Sequence, residues 1–164
     1  MNTTSLKCMF SSMKLDYATP IEIFNQLNKE FHFNIDACAN KENAKVSFYF
    51  NNTDGLNEEW YIYDYKTDQE ILGRVFCNPP YGREITKWIK KGYEEFIKGN
   101  CELIVFLIPS RTDTKWWHEY IMKATEIRFV KGRIKFNGKS PAPFPSAVII
   151  YNSSTKHNNK LEKV

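Results

Sequence analysis

The sequence predicts an α/β fold: a mainly parallel central sheet with helices on both faces and an antiparallel hairpin near the C-terminus. Three observations predict it. Short apolar runs alternate with stretches of helical periodicity, the pattern of a parallel sheet wound by crossover helices. One run, Leu103-Ile104-Val105-Phe106-Leu107-Ile108, is apolar at every position, as a strand covered on both faces must be. The residues richest in side-chain chemistry gather where the runs end, at the edge where open α/β sheets bind ligands.

Each element has its own justification. Residues 1–16 are polar and patternless and read as a flexible arm. Thr19-Pro20-Ile21-Glu22 is a helix start, with Thr at the N-cap, Pro in the first position and Glu three residues after the cap. Ile21, Phe24, Leu27 and Phe31 then recur at helical spacing, giving a helix to about Glu30. Phe31 to Ile35 alternates and reads as a strand stopping at Asp36-Ala37-Cys38-Ala39-Asn40. Val46 to Phe50 is a short strand, and Asn51 to Gly55 a turn. Trp60 to Leu72 carries no clean period and reads as irregular. Arg74 to Cys77 is a strand, and Arg83 to Lys98 a helix with Ile85, Trp88, Ile89, Tyr93 and Phe96 on one face. A third helix runs through Trp116, Trp117, Tyr120, Ile121 and Ala124, whose tryptophans read as core. Ile127–Val130 and Arg133–Phe136 read as strands about a Lys131-Gly132 turn. Ala147 to Tyr151 closes the sheet.

Bulk properties bound the rest. At 164 residues the chain suits one domain, here 17–151, with a disordered polar tail at 152–164 and no separate target-recognition domain. The balance of 23 basic and 19 acidic residues gives +4, which suits a nucleic-acid partner without demanding one. No Cys-x-x-Cys pair or histidine spacing suggests a metal site, so none is expected. The longest apolar run is too short to span a bilayer, and the cysteine usage reads as a reduced, cytoplasmic protein.

The chemistry is concentrated in Asn78-Pro79-Pro80-Tyr81, directly after Val75-Phe76-Cys77. The Asn78 carboxamide oxygen and the Pro79 carbonyl can both accept from one exocyclic NH2 group. Pro79 and Pro80 fix φ and remove donors, which holds those acceptors stiffly. Tyr81 offers a face on which a heterocycle can stack. An aniline-like amine is a poor nucleophile because its lone pair is delocalised, and two acceptors on its hydrogens draw the nitrogen toward a tetrahedral shape. The competing reading is a plain turn after a strand, since Asn and Pro are both turn formers.

Beyond that tetrapeptide, several segments match a known family in order. They are Ala18-Thr19-Pro20, Phe33 to Ala39, Asp54-Gly55-Leu56 with Trp60, and Phe76 to Arg83. Pro109-Ser110-Arg111-Thr112-Asp113-Thr114 with Trp116, Gly132 to Phe136 and Ala142-Pro143-Phe144-Pro145-Ser146 complete the set. Over residues 18 to about 150 the chain resembles the small phage and prophage DNA N6-adenine methyltransferases. The resemblance implies a Rossmann-like methyltransferase fold, S-adenosylmethionine as cofactor, and restriction-modification or regulatory settings in a bacterial cytoplasm. It implies that Asp36, Ala37 and Cys38 border the cofactor, that Asp54 accepts from its adenine amine, and that Thr19 and Pro20 lie at its methionine end. For Asp36 and Asp54 turn chemistry is the competing reading, and for Thr19 and Pro20 helix capping. Most methyltransferases carry a glycine-rich turn after the first strand; this chain has Asp-Ala-Cys-Ala-Asn, as the phage enzymes do.

A base inside a duplex cannot reach Asn78, so double-stranded DNA with its adenine flipped out is the expected substrate, met by a monomer or weak dimer. Arg83, Arg111 and Arg133 are candidate phosphate contacts, with solvated surface charge as the alternative. Phe144 could pack on the flipped base or wedge the duplex, or serve as core. The tetrapeptide alone leaves RNA adenine, cytosine N4 and protein glutamine open. A non-catalytic nucleic-acid-binding relative is the rival from another class.

Overall fold

The computed structural model describes residues 17–51, 54–136, 138, 140–154 and 160–163. The proposed arm at 1–16, with 155–159 and 164 of the proposed tail, lies outside them. Helix α1 spans Ile21–Phe31 and buries Phe24, Leu27 and Phe31, three positions on one helical face. Strand β1, Ile35–Ala39, follows, then β2, Phe48–Asn51, and a 3-10 turn at Asp54–Leu56. Strands β3, Tyr61–Asp64, and β4, Gln69–Cys77, form an antiparallel pair. Helix α2, Ile85–Lys98, leads to β5, Cys101–Pro109. The short α3, Lys115–Glu119, and a 3-10 turn at Ile121–Lys123 precede β6, Glu126–Phe129. Strands β7, Ser146–Asn152, and β8, Lys160–Lys163, complete the chain.

The sheet order is β2-β1-β4-β5-β7-β6-β8, with β3 beside β4. β2, β1, β4 and β5 run parallel, and β7 inserts antiparallel between β5 and β6. Side chains of a strand point to opposite faces in turn, and the core divides accordingly. Ile104, Phe106 and Ile108 of β5 pack with Trp60, Trp88 and Ile89 under α2. Leu103, Val105 and Leu107 pack with Phe24, Leu27 and Phe31 under α1. The predicted two-sided cover of a mainly parallel sheet is therefore present.

Four local expectations are corrected. Most of the strand expected at Phe31–Ile35 is the end of α1 and a short connection, because His32 takes a left-handed cap conformation with φ 52°; β1 takes only Ile35 from it and continues through Asp36–Ala39, which were expected to end it. Phe31, Phe33 and Ile35 alternate because helix end, loop and strand each give one residue to the core. Trp60–Leu72 contains the β3–β4 pair, its alternation blurred by the exposed Tyr63, Tyr65, Ile71 and Leu72. Arg133–Phe136 is not a strand; the antiparallel partner of β6 is β7, which satisfies its backbone groups instead. Within the tail expected to lack structure, β8 pairs parallel with β6 and covers its outer edge.

One buried charge ties the segment leading into β3 to α2 and to the turn before β5. Glu95 of α2 is fully buried, accepting from Lys91 Nζ at 2.7 Å, Asn100 Nδ2 at 2.7 Å and the Trp60 backbone N–H at 2.9 Å. Burial by itself would raise the Glu95 carboxyl, but these donors outweigh it and hold the group below its usual range.

Candidate active site

The carboxyl ends of β1, β4 and β5 and the start of β7 meet at one edge. Register pairs Asp36 with Phe76, and Pro109 with Ser146. Asp36 and Phe76 therefore share the sheet face that α1 covers, and Asn78 follows directly on the last residue of β4. Parallel pairing thus brings two polar groups, 42 positions apart in sequence, to the same corner.

Asn78 is half-buried and both ends of its carboxamide are held. Its Nδ2 donates to the Tyr17 carbonyl at 2.6 Å and to Thr19 Oγ1 at 3.0 Å. Its Oδ1 accepts from Tyr81 OH at 2.7 Å, which leaves the second acceptor site of that oxygen. Tyr81 OH also lies 3.3 Å from the Leu107 carbonyl of β5. Burial pushes the Tyr81 phenol well above its usual range, so the hydroxyl remains a donor. Pro79 is buried and Pro80 exposed.

Aromatic rings wall the same corner. Tyr17 stacks on Tyr81 with centroids 5.1 Å apart and planes at 29°. Phe144 stands edge-on to both rings at 5.3 Å, and Phe136 stands edge-on to them at 5.3 and 5.9 Å. Of these four, residue chemistry singles out Tyr81 and Phe144. Tyr17 carries no local signal, and the pattern around Phe136 is that of a strand.

Of the residues expected on the cofactor side, Asp36, Ala37 and Cys38 lie in β1 and Asp54 opens the turn packed on it. Asp36 is 3% exposed and is held by the Lys45 N–H, 3.1 Å from its Oδ2, and by the Cys38 N–H. The positive charge of Lys45 also pulls its carboxyl down, but burial outweighs these groups and pushes it up to about 6. Ala37 is buried against Gly55, whose position is so close that a Cβ there would stand 2.2 Å from the Ala37 carbonyl oxygen. The Asp54–Leu56 turn is thereby pressed onto β1, with Asp54 itself exposed. The Cys38 thiol is pushed up to about 12 by burial and the nearby Asp36, which keeps it protonated at neutral pH.

Thr19 departs from its expected place as an N-cap. The cap of α1 is Pro20, without a side-chain bond, and the Thr19 hydroxyl turns to Asn78 instead. Arg83, Arg111 and Arg133 are all exposed. Arg111 follows Ser110, whose N–H bonds the Pro145 carbonyl at 2.9 Å, which ties that loop to the Phe144 segment. The buried hydroxyls of Ser110 and Ser146 find no partner among the described residues. Among those residues no group of three or more His, Cys, Asp or Glu could hold a metal ion, and no helix is long and apolar enough to cross a membrane.

A sheet of this order, with Asn-Pro-Pro-Tyr at its carboxyl edge and an aromatic wall beside it, defines a Rossmann-like methyltransferase. A scan against protein-family models matches the DNA N-6-adenine-methyltransferase (Dam) family over residues 9–163. The chain belongs to that family. It is a DNA methyltransferase acting on adenine N6, and membership implies S-adenosylmethionine as the methyl donor. A search of curated proteins finds no match.

Proposed function

We propose that the corner around Asn78 receives an adenine flipped out of duplex DNA, and that the β1 side holds the cofactor. The observation that carries this reading is the fixed carboxamide of Asn78 beside the ring of Tyr81. The Asn78 oxygen and the Pro79 carbonyl accept the two hydrogens of the N6 amine. That pairing weakens delocalisation of the amine lone pair and aims it. Tyr81 and Phe144 hold the ring, and base–aromatic stacking of this kind is worth about 1–3 kcal/mol per base. Tyr17 lies where a base would stack on Tyr81, so base entry exchanges one ring for another.

The cofactor, when bound, supplies an electrophilic sulfonium methyl. Asp36 is suited to its cationic end: a carboxylate that burial has desolvated gains from a positive group placed beside it. Ala37, Cys38 and Pro20 border that space, and Asp54 offers an acceptor for its adenine amine. Positioning and exclusion of water supply most of the acceleration. The amine proton leaves to water after transfer. Arg83, Arg111 and Arg133 contact phosphates and orient the duplex.

The test divides the two halves. Tyr81→Ala and Phe144→Ala each slow single-turnover methyl transfer to DNA by roughly tenfold to a hundredfold while cofactor affinity holds. Asp36→Asn weakens cofactor affinity instead. Substitutions on the two sides that act identically in both assays contradict the division.

A further inference from the structure

Thr19 stands one residue ahead of the N-cap of α1, in a sequence whose capping pattern is enough to account for a threonine. The structure removes that account. Pro20 is the cap, no side chain bonds the helix start, and the Thr19 hydroxyl, on a residue 5% exposed, lies 3.0 Å from Asn78 Nδ2.

The second partner of Nδ2 settles which way the carboxamide faces. The Tyr17 carbonyl, at 2.6 Å, can only accept, so the end of Asn78 beside it is the NH2 end. Oδ1 then points the other way, toward Tyr81 OH. A carboxamide is nearly symmetric in shape but opposite in chemistry at its two ends. Turned over, it would present donors to a target amine that is itself a donor. Resting on the reading that Asn78 accepts from that amine, we infer that Thr19 is a positioning residue. With the Tyr17 carbonyl it fixes Asn78 in its accepting orientation, without touching the substrate.

Valine matches threonine in shape and lacks only the hydroxyl, and serine restores the hydroxyl without the methyl. The full chain carrying Thr19→Val or Thr19→Ser is compared with wild type in single-turnover methyl transfer to unmethylated duplex DNA at saturating S-adenosylmethionine. Cofactor affinity is measured separately by calorimetry. Loss of one hydrogen bond on the carboxamide predicts a rate about tenfold lower for Thr19→Val, with cofactor Kd within about twofold and near wild-type rate for Thr19→Ser. A Thr19→Val rate equal to wild type overturns the inference. So does a defect that lies in cofactor Kd and vanishes at saturation, because the hydroxyl then serves the cofactor. Should Thr19→Val fail to fold by circular dichroism, Thr19→Ala replaces it, and a folded Thr19→Ser as slow as Thr19→Ala overturns the inference. A wild-type protein that does not methylate DNA sinks the reading of Asn78 itself, whereas an active wild type with an unchanged Thr19→Val sinks only the role of Thr19.

Discussion

Replacing Asp36 by Asn is expected to stabilise the protein above neutral pH while weakening its hold on the cofactor. Asp36 is buried in β1, and desolvation pushes its carboxyl from the ordinary 3.8 up to about 6, against the pull of the Lys45 and Cys38 N–H groups and of the Lys45 charge. A folded-state pKa raised above the unfolded one means the fold favours the protonated form. Its contribution is fully present below pH 3.8 and is lost as pH rises through about 6. The gap between 3.8 and about 6, at about 1.4 kcal/mol per pH unit, sets the cost of the ionised group at roughly 3 kcal/mol at most. Asn keeps one acceptor oxygen for the two backbone donors, and the bond given up costs about 1 kcal/mol. The net gain at about pH 8 is therefore roughly 1–2 kcal/mol, or a Tm higher by about 2–8 °C for a chain of this size. Near pH 4 the wild-type carboxyl is protonated, and the variant loses its advantage. Urea and thermal unfolding at both pH values measure this, with calorimetry for cofactor binding. A variant less stable than wild type at about pH 8, or equally favoured at both pH values, refutes the argument.

Further perturbations test other joints of the structure. Glu95→Ala strands the Trp60 N–H, Asn100 and Lys91, and denaturant unfolding should show a loss of about 3–5 kcal/mol, as for a broken buried pair. In wild type the Glu95 contribution should fade as pH falls below the ordinary carboxylate range, because its folded pKa is depressed. Gly92→Ala would set a Cβ 2.4 Å from Phe106 Cζ and 2.9 Å from Trp60 Cζ3, both in the packed core. That overpacking should cost about 1–3 kcal/mol in the same assay. Arg111→Ala should lower DNA affinity and reduce the slope of log K against log salt by about 1, leaving cofactor binding alone; an unchanged slope removes Arg111 from the phosphate contacts.

Much of this was legible in the residues. The all-apolar run around Val105 announced a strand covered on both faces, and Asn78-Pro79-Pro80-Tyr81 pointed to a chemistry because four residues with convergent roles are adjacent. What escaped depends on long-range pairing. β3 was obscured because its hairpin exposes Tyr63, Ile71 and Leu72, so alternation does not track burial. The run Arg133–Phe136 alternates like a strand, yet Ile134 and Phe136 serve the core from a connecting segment, with the Ile134 carbonyl tied to Ala142 N–H at 2.8 Å. Glu95 looked like one more charge on an amphipathic helix, and only the approach of Trp60 and Asn100 buries it. Tyr17 and Thr19 are about 60 residues from Asn78, so no local pattern could join them. Thr19 was also masked by a motif that accounted for it too easily.

The most direct test of the account is transfer of labelled methyl from S-adenosylmethionine to unmethylated duplex DNA, by wild type and by Asn78→Ala, with the digest resolved by nucleoside. The account predicts N6-methyladenine from wild type and a loss of roughly a hundredfold or more in a folded Asn78→Ala that still binds cofactor. Equal incorporation by Asn78→Ala, or methyl found on another atom, would contradict it.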